Sequence, residues 1–153
     1  MAGGLEHLSA LETLEILDCV NLKFSEEQED NDGVGYNPSI LPSLLTLRLC
    51  QLSMMKNLPN WMQFLPVLQT LEIEECDRLK AIPNWMPKLT SLKQLYVDGG
   101  SKSLKRRCKE DPPGEDWPYI QHIPNIHFLF CSDEGYLGEN FLDEEQYSDE
   151  DNE

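Results

Sequence analysis

Basic residues are scarce in this sequence: 12 Lys and Arg stand against 28 Asp and Glu, for a formal net charge of −16. That balance argues against a nucleic-acid partner, because phosphate binding needs a net basic face. Long apolar runs are missing as well. None approaches the ~18 residues of a membrane-spanning helix. The five cysteines (Cys19, Cys50, Cys76, Cys108, Cys131) are odd in number and widely spaced, which is no disulfide framework. They read as reduced thiols of a cytoplasmic or nuclear protein. The start of the chain lacks a basic stretch followed by an apolar one, so no secretory signal is expected. No G-x-x-x-x-G-K-[ST] phosphate loop occurs, and no nucleotide site is assigned to this chain.

What is present is a repeat. LPNWM at 58–62 returns as IPNWM at 82–86, 82 − 58 = 24 residues later. The agreement extends on both sides. LPVLQTLEIEEC (65–76) aligns with LTSLKQLYVDGG (89–100). LPSLLTLRLCQL (41–52) precedes them by the same 24, and LSALETLEILDC (8–19) opens in the same frame. Four copies of L-x-x-L-x-x-L-x-L/I/V result. Their ladder residues are Leu8, Leu11, Leu14, Ile16; Leu41, Leu44, Leu47, Leu49; Leu65, Leu68, Leu71, Ile73; and Leu89, Leu92, Leu95, Val97.

This is the leucine-rich-repeat signature. Alternating residues such as Leu71 and Ile73 face inward from a short strand that cannot bury its face alone. Stacked copies form a parallel sheet over a continuous leucine core. Cys19 and Cys76 occupy a buried position at the turn after the strand, where a small side chain with a weak donor fits. Leu58 and Ile82 point inward, Pro59 and Pro83 turn the chain, and Trp61 and Trp85 pack one repeat apart on the outer layer.

The fold class expected is therefore α/β: a leucine-rich-repeat solenoid with a short parallel sheet on the concave face and an irregular or short-helical outer side. Repeats fill 1–110, with an acidic insertion near 25–39, since the first gap is nine residues longer than 24. A C-terminal cap fills 111–131. There Asp116 is expected to N-cap a short helix, with Pro118 in its first turn and Pro124 beyond its end. Trp117, Ile120 and Ile123 share a face that seals the last repeat, and IHFLF (126–130) adds a final strand. Residues 132–153 carry ten acids and no Lys or Arg, and read as a disordered acidic tail. Ser148 in that tail resembles an acid-directed kinase site. Upstream, Met1 falls in mid-repeat and nothing caps Leu14 and Ile16, so the chain is expected to be the tail of a longer array.

Candidate binding residues are the strand positions that face outward, because repeat proteins usually bind with them. They form columns: Glu15, Arg48, Glu72, Tyr96; then Leu17, Cys50, Glu74, Asp98; then Asp18, Gln51, Glu75. Strands ~4.8 Å apart make Glu15–Arg48–Glu72 an alternating charge ladder. Two readings stand, direct contact with a basic partner patch and a self-satisfied surface row. Lys102, Lys105, Arg106, Arg107 and Lys109 form a basic cluster. It reads as a docking patch for another module, as an import-like patch, or as a solvated edge that attracts the acidic tail. Cys108, His122, His127 and Cys131 have no standard zinc spacing, and no metal site is assigned. No constellation of an enzyme is present.

The stretches LPNWM, IPNWMPKLTSLKQLYV and RCKEDPPGEDWPYIQHIPNI together resemble the C-terminal end of plant nucleotide-binding leucine-rich-repeat disease-resistance proteins of the coiled-coil type. The resemblance covers about residues 5–128. It implies an intracellular receptor of innate immunity, cytoplasmic or nuclear. Its repeats would recognise a pathogen effector or a guarded host protein and make autoinhibitory contact with the nucleotide-binding module. The ADP/ATP site would lie in that separate upstream module. The alternative is a stand-alone leucine-rich-repeat adaptor, such as a ubiquitin-ligase substrate-recognition domain.

Overall fold

A computed structural model describes residues 7–19 and 40–130. The expectations for Met1, the 25–39 insertion, Cys131 and the 132–153 tail lie outside the described residues.

Among the described residues, five strands of five residues each form one parallel sheet in chain order: β1 (Thr13–Leu17), β2 (Thr46–Cys50), β3 (Thr70–Glu74), β4 (Gln94–Asp98) and β5 (Asn125–Leu129). The register is the one that the repeat dictates. Leu14, Leu47, Leu71, Leu95 and Ile126 are successive partners, as are Ile16, Leu49, Ile73, Val97 and Phe128. A one-residue slip would move every core residue to the opposite face, so alternating leucines fix the register wherever one face is buried.

The entry and exit of each strand are hydrogen-bonded alike. At entry, one carbonyl takes two amides of the next repeat: Glu12 O accepts from Leu45 and Thr46, Leu45 O from Gln69 and Thr70, and Gln69 O from Lys93 and Gln94. At exit, the residue after the strand turns into the left-handed region: Asp18 (φ 46°), Gln51 (55°), Glu75 (52°) and Gly99 (89°). Each then donates its N–H to the last residue of the next strand, for example Glu75 to Asp98 O at 2.8 Å. Only the fourth copy uses glycine, the residue that takes this conformation without cost.

The repeated pentapeptides take equivalent places. Met62 N–H donates to Pro59 O and Met86 N–H to Pro83 O, opening short 3-10 turns at Asn60–Phe64 and Met86–Lys88. Leu58 and Ile82 are buried as expected, and so, less visibly in the sequence, are Met62 and Met86. Trp61 is half-buried. Trp85 is buried, and its indole N–H lies 3.3 Å from Asn60 Oδ1 in the preceding copy. Cys76 is fully buried with its thiol 3.3 Å from Glu74 O; burial pushes its pKa up to about 11, so it stays protonated.

Beyond β4 the period breaks, 125 − 94 = 31 residues separating the starts of β4 and β5. The longer connection holds α1 (Lys102–Arg107) and α2 (Trp117–Ile120). Ser101 Oγ accepts from Leu104 N–H and caps α1, which buries Leu104 and is followed by buried Cys108. Ile120 and Ile123 are buried under α2 and Trp117 is half-buried against the same core. The half-exposed indole lowers the cost expected of Trp117→Ala from the ~3–5 kcal/mol of a fully buried aromatic to about 2 kcal/mol. Chemical denaturation of the two chains reads this directly, and an unchanged midpoint would rule out a sealing role.

Asp116 departs from the expected role. Its side chain makes no capping bond to α2. It is fully buried and reaches back 34 residues, accepting from Ile82 N–H at 2.8 Å. The Arg107 guanidinium grips the same carboxylate with Nε at 2.9 Å and Nη2 at 2.8 Å, and also pairs with Glu115. A buried carboxylate needs such partners, and the amide of Ile82 offers a stronger claim than the first turn of a four-residue helix. Gly114 makes the approach possible: a Cβ there would lie 2.2 Å from Arg107 O.

Cys19 is half-buried where a buried thiol is expected, and Leu8 departs as well. It is 41% exposed, and Leu11, Leu14 and Ile16 are only half-buried, because among the described residues β1 has a neighbour on one side alone.

Candidate binding face

The residues that alternate with the core leucines line up across the sheet. Register places Glu15, Arg48, Glu72, Tyr96 and His127 in one row, and Leu17, Cys50, Glu74, Asp98 and Leu129 in the next. His127 and Leu129 extend the rows beyond the residues that the four repeat copies supply. The alternation of IHFLF is the signal that points to them, once it is read as a strand in register with the others.

Arg48 organises the face. Its Nη1 lies 2.6 Å from Glu15 Oε1, Nε 2.5 Å from Glu72 Oε2, and Nη2 3.2 Å from Glu74 Oε1. The Nε–H is not aligned on an acceptor, so the Glu72 contact is an ion pair with little directional bonding. One cation thus serves three carboxylates. The hydrogen bond to Glu74, then the close contacts with Glu72 and Glu15, push its pKa up. All four side chains keep roughly a third of their surface exposed. Solvent-screened pairs of this kind contribute little to folding, so the ladder shapes the surface more than it holds the fold. Gln51 Nε2 reaches Glu75 Oε2 at 3.0 Å in the adjoining row.

Cys50 leaves the set of surface candidates. It is 5% exposed, lying below its longer neighbours Leu17, Glu74 and Arg48, and desolvation raises its pKa. Tyr96 is half-buried, while Leu17 and Leu129 are the exposed apolar positions at the C-terminal strand ends.

That end is crowded with acids. Burial, then the fields of Glu74 and Glu75, raise the Asp98 pKa above 3.8. A carboxyl that binds its proton more tightly when folded costs stability once ionised; the cost sets in as pH rises through that range and is full at pH 7. Asp98→Asn is therefore expected to stabilise the chain by about 0.5 kcal/mol at pH 7, the scale of exposed charge effects. The gain should close as pH falls below the ordinary carboxylate range, which thermal melts at pH 7 and pH 3 compare. A gain that persists at pH 3 would show that charge is not its cause.

The basic cluster divides. Lys102 and Arg106 are exposed, and Lys105 and Lys109 half-exposed. Arg107 is committed to Asp116 and Glu115, and bonding to Asp116 raises its pKa. It belongs to the fold, and the docking candidates reduce to the other four. Cys108 is buried, with its thiol pushed up to about 12. His122 follows α2 and His127 lies on β5, so the sequence-linked group of Cys108, His122 and His127 is dispersed. Among the described residues no group of three or more His, Cys, Asp or Glu is placed to hold a metal. Nor is any helix among them long and apolar enough to cross a membrane.

Comparison with known proteins gives three similar Arabidopsis thaliana proteins. Disease resistance protein RPP8 is 37% identical over 115 residues, 74% of this chain and 9% of that protein. Disease resistance protein RPH8A is 38% identical over 112 residues, 72% of this chain and 9% of its own length. Disease resistance RPP8-like protein 3 is 46% identical over 44 residues, 29% of this chain and 4% of that protein. The chain thus spans less than a tenth of the length of these relatives. No family model matches it, and no solved structure does. These relatives support a role in plant disease resistance.

Proposed function

We propose that this chain is a leucine-rich-repeat solenoid segment of a plant disease-resistance receptor, of the nucleotide-binding, coiled-coil type, and that the outward face of its sheet binds protein. The observation that carries this reading is the five-strand register, which sets Glu15, Arg48, Glu72 and Tyr96 beside Leu17, Glu74 and Asp98 on one surface. A row of charges flanked by apolar side chains suits a protein contact. Its acidic balance fits a basic patch on the partner. In the receptor, the partner is a pathogen effector or a guarded host protein, and the nucleotide-binding module makes an autoinhibitory contact in cis. The segment itself is not an enzyme and holds no cofactor; ADP or ATP belongs to an upstream module. It works in the cytoplasm or nucleus. The disease-resistance relatives favour this reading over a ubiquitin-ligase adaptor.

A segment exchange tests it. The matching 115 residues of Disease resistance protein RPP8 are replaced by this chain, with and without Glu72→Lys and Glu74→Lys. The reading expects the charge reversals to alter resistance, or to release it without infection, while the exchanged protein accumulates unchanged. Resistance indifferent to both reversals would overturn the assignment of this face.

A further inference from the structure

The outward row at the C-terminal strand ends runs Leu17, Cys50, Glu74, Asp98, Leu129. Leu17 and Leu129, at its two ends, are 52% and 47% exposed, and buried Cys50 leaves a dip between Leu17 and Glu74. The acids of the face are unequally served. Arg48 is the one base on the outward rows, and it already contacts Glu15, Glu72 and Glu74. Asp98 has no ion pair or hydrogen bond among the described residues; its carboxyl feels Glu74 and Glu75 instead. Half-buried beside like charges, it holds its proton more tightly than an ordinary carboxyl does. A cation set over Asp98 would relieve all three carboxylates together.

Spacing sets what else the bearer of that cation must carry. Strands lie ~4.8 Å apart, so Leu17 and Leu129 stand ~19 Å apart along the row, with Asp98 ~14 Å from the first and ~5 Å from the second. An extended segment laid across the strands advances ~3.4 Å per residue and turns alternate side chains to the sheet. Its residues i+4 and i+6 then lie ~14 Å and ~20 Å from residue i, all three on the side that faces the sheet. Residue i meets Leu17, residue i+4 meets Asp98 and residue i+6 meets Leu129. Apolar side chains at i and i+6 would cover two leucines that water now wets. The same carboxylates repel an acidic occupant, a second copy of this face included.

We propose that the outward face binds an extended protein segment, in either chain direction, that carries apolar residues six positions apart with a Lys or Arg four from one and two from the other. The apolar residues rest on Leu17 and Leu129, and the base sits over Asp98 and Glu74. This inference rests on the reading that the face binds protein, and it names the chemistry that the partner presents.

A library of random displayed peptides, selected on the full chain, tests it. Binders with that spacing are expected, and their binding should fall several-fold toward 1 M salt, where the screening length is ~3 Å. Asp98→Asn, a change expected to keep the fold, should weaken the selected peptides about tenfold, since it removes one partner of a charge pair. Leu129→Ser should weaken them several-fold. No enrichment, binders that lack a base, or binders indifferent to both substitutions would overturn the proposal. Its failure is distinguishable from failure of the binding-face reading. If Glu72→Lys and Glu74→Lys alter resistance while Asp98→Asn and Leu129→Ser leave peptide binding untouched, the face still binds protein and only the proposed segment falls. If resistance ignores the charge reversals as well, both fall.

Discussion

Leu71→Ala is expected to lower the free energy of unfolding by about 3–5 kcal/mol. Leu71 is fully buried in β3, the middle strand, and its register partners Leu47 and Leu95 are fully buried too. Strands on both sides fix the backbone, so the walls of the new cavity cannot collapse, and the cavity cost adds to the lost transfer energy. The equivalent change in the edge strand, Leu14→Ala, removes a half-buried side chain and is expected to cost only about 1–2 kcal/mol. Urea denaturation of both variants measures the contrast. Equal losses at the two positions would show that β1 is covered as completely as β3.

Asp116→Ala comes next, at about 3–4 kcal/mol. It strips a buried backbone N–H, that of Ile82, of its acceptor, and it leaves the Arg107 guanidinium with Glu115 alone. An orphaned buried donor costs about 1–3 kcal/mol, and breaking a buried pair by deleting one partner about 3–5. The exposure of Glu115 and the freedom of Arg107 to turn toward water keep the two costs from adding in full and hold the total near the lower end of the second range. A double-mutant cycle with Arg107→Met separates the terms: a coupling above about 1 kcal/mol is expected for the bidentate pair. Additive effects would mean that the Ile82 bond carries the whole role. Either way the contact is long-range, tying the irregular 111–124 stretch to the third repeat copy.

That contrast explains which parts were legible in the sequence. The 24-residue period and the L-x-x-L-x-x-L-x-L spacing are local, and each core leucine from Leu41 to Val97 lies where the alternation puts it. The rows across the sheet follow from the same spacing, since the register of a parallel sheet with one buried face is dictated by its apolar set. Asp116 was not legible. An Asp ahead of Trp-Pro has the local look of a helix cap, and nothing near it in sequence announces Ile82 as the better partner. Arg107 is hidden for the same reason, since in sequence it is one base in a basic run. Cys50 has the alternation of a surface residue, yet it is too short to clear Leu17 and Glu74. Met62 and Met86 are buried more deeply than the tryptophans of their pentapeptides, which the spacing of the pentapeptide alone does not reveal.

One repeat, one register and one outward face is the claim on which the account of this chain stands. Interstrand NMR contacts in the isotopically labelled chain test it most directly. Methyl contacts are expected to run Leu47–Leu71–Leu95–Ile126, with a parallel row Leu49–Ile73–Val97 and Glu72 between Arg48 and Tyr96. A register displaced by one residue, with Glu72 or Glu74 among the leucines, or no ordered path from Leu47 to Ile126, would contradict it and remove the proposed binding face.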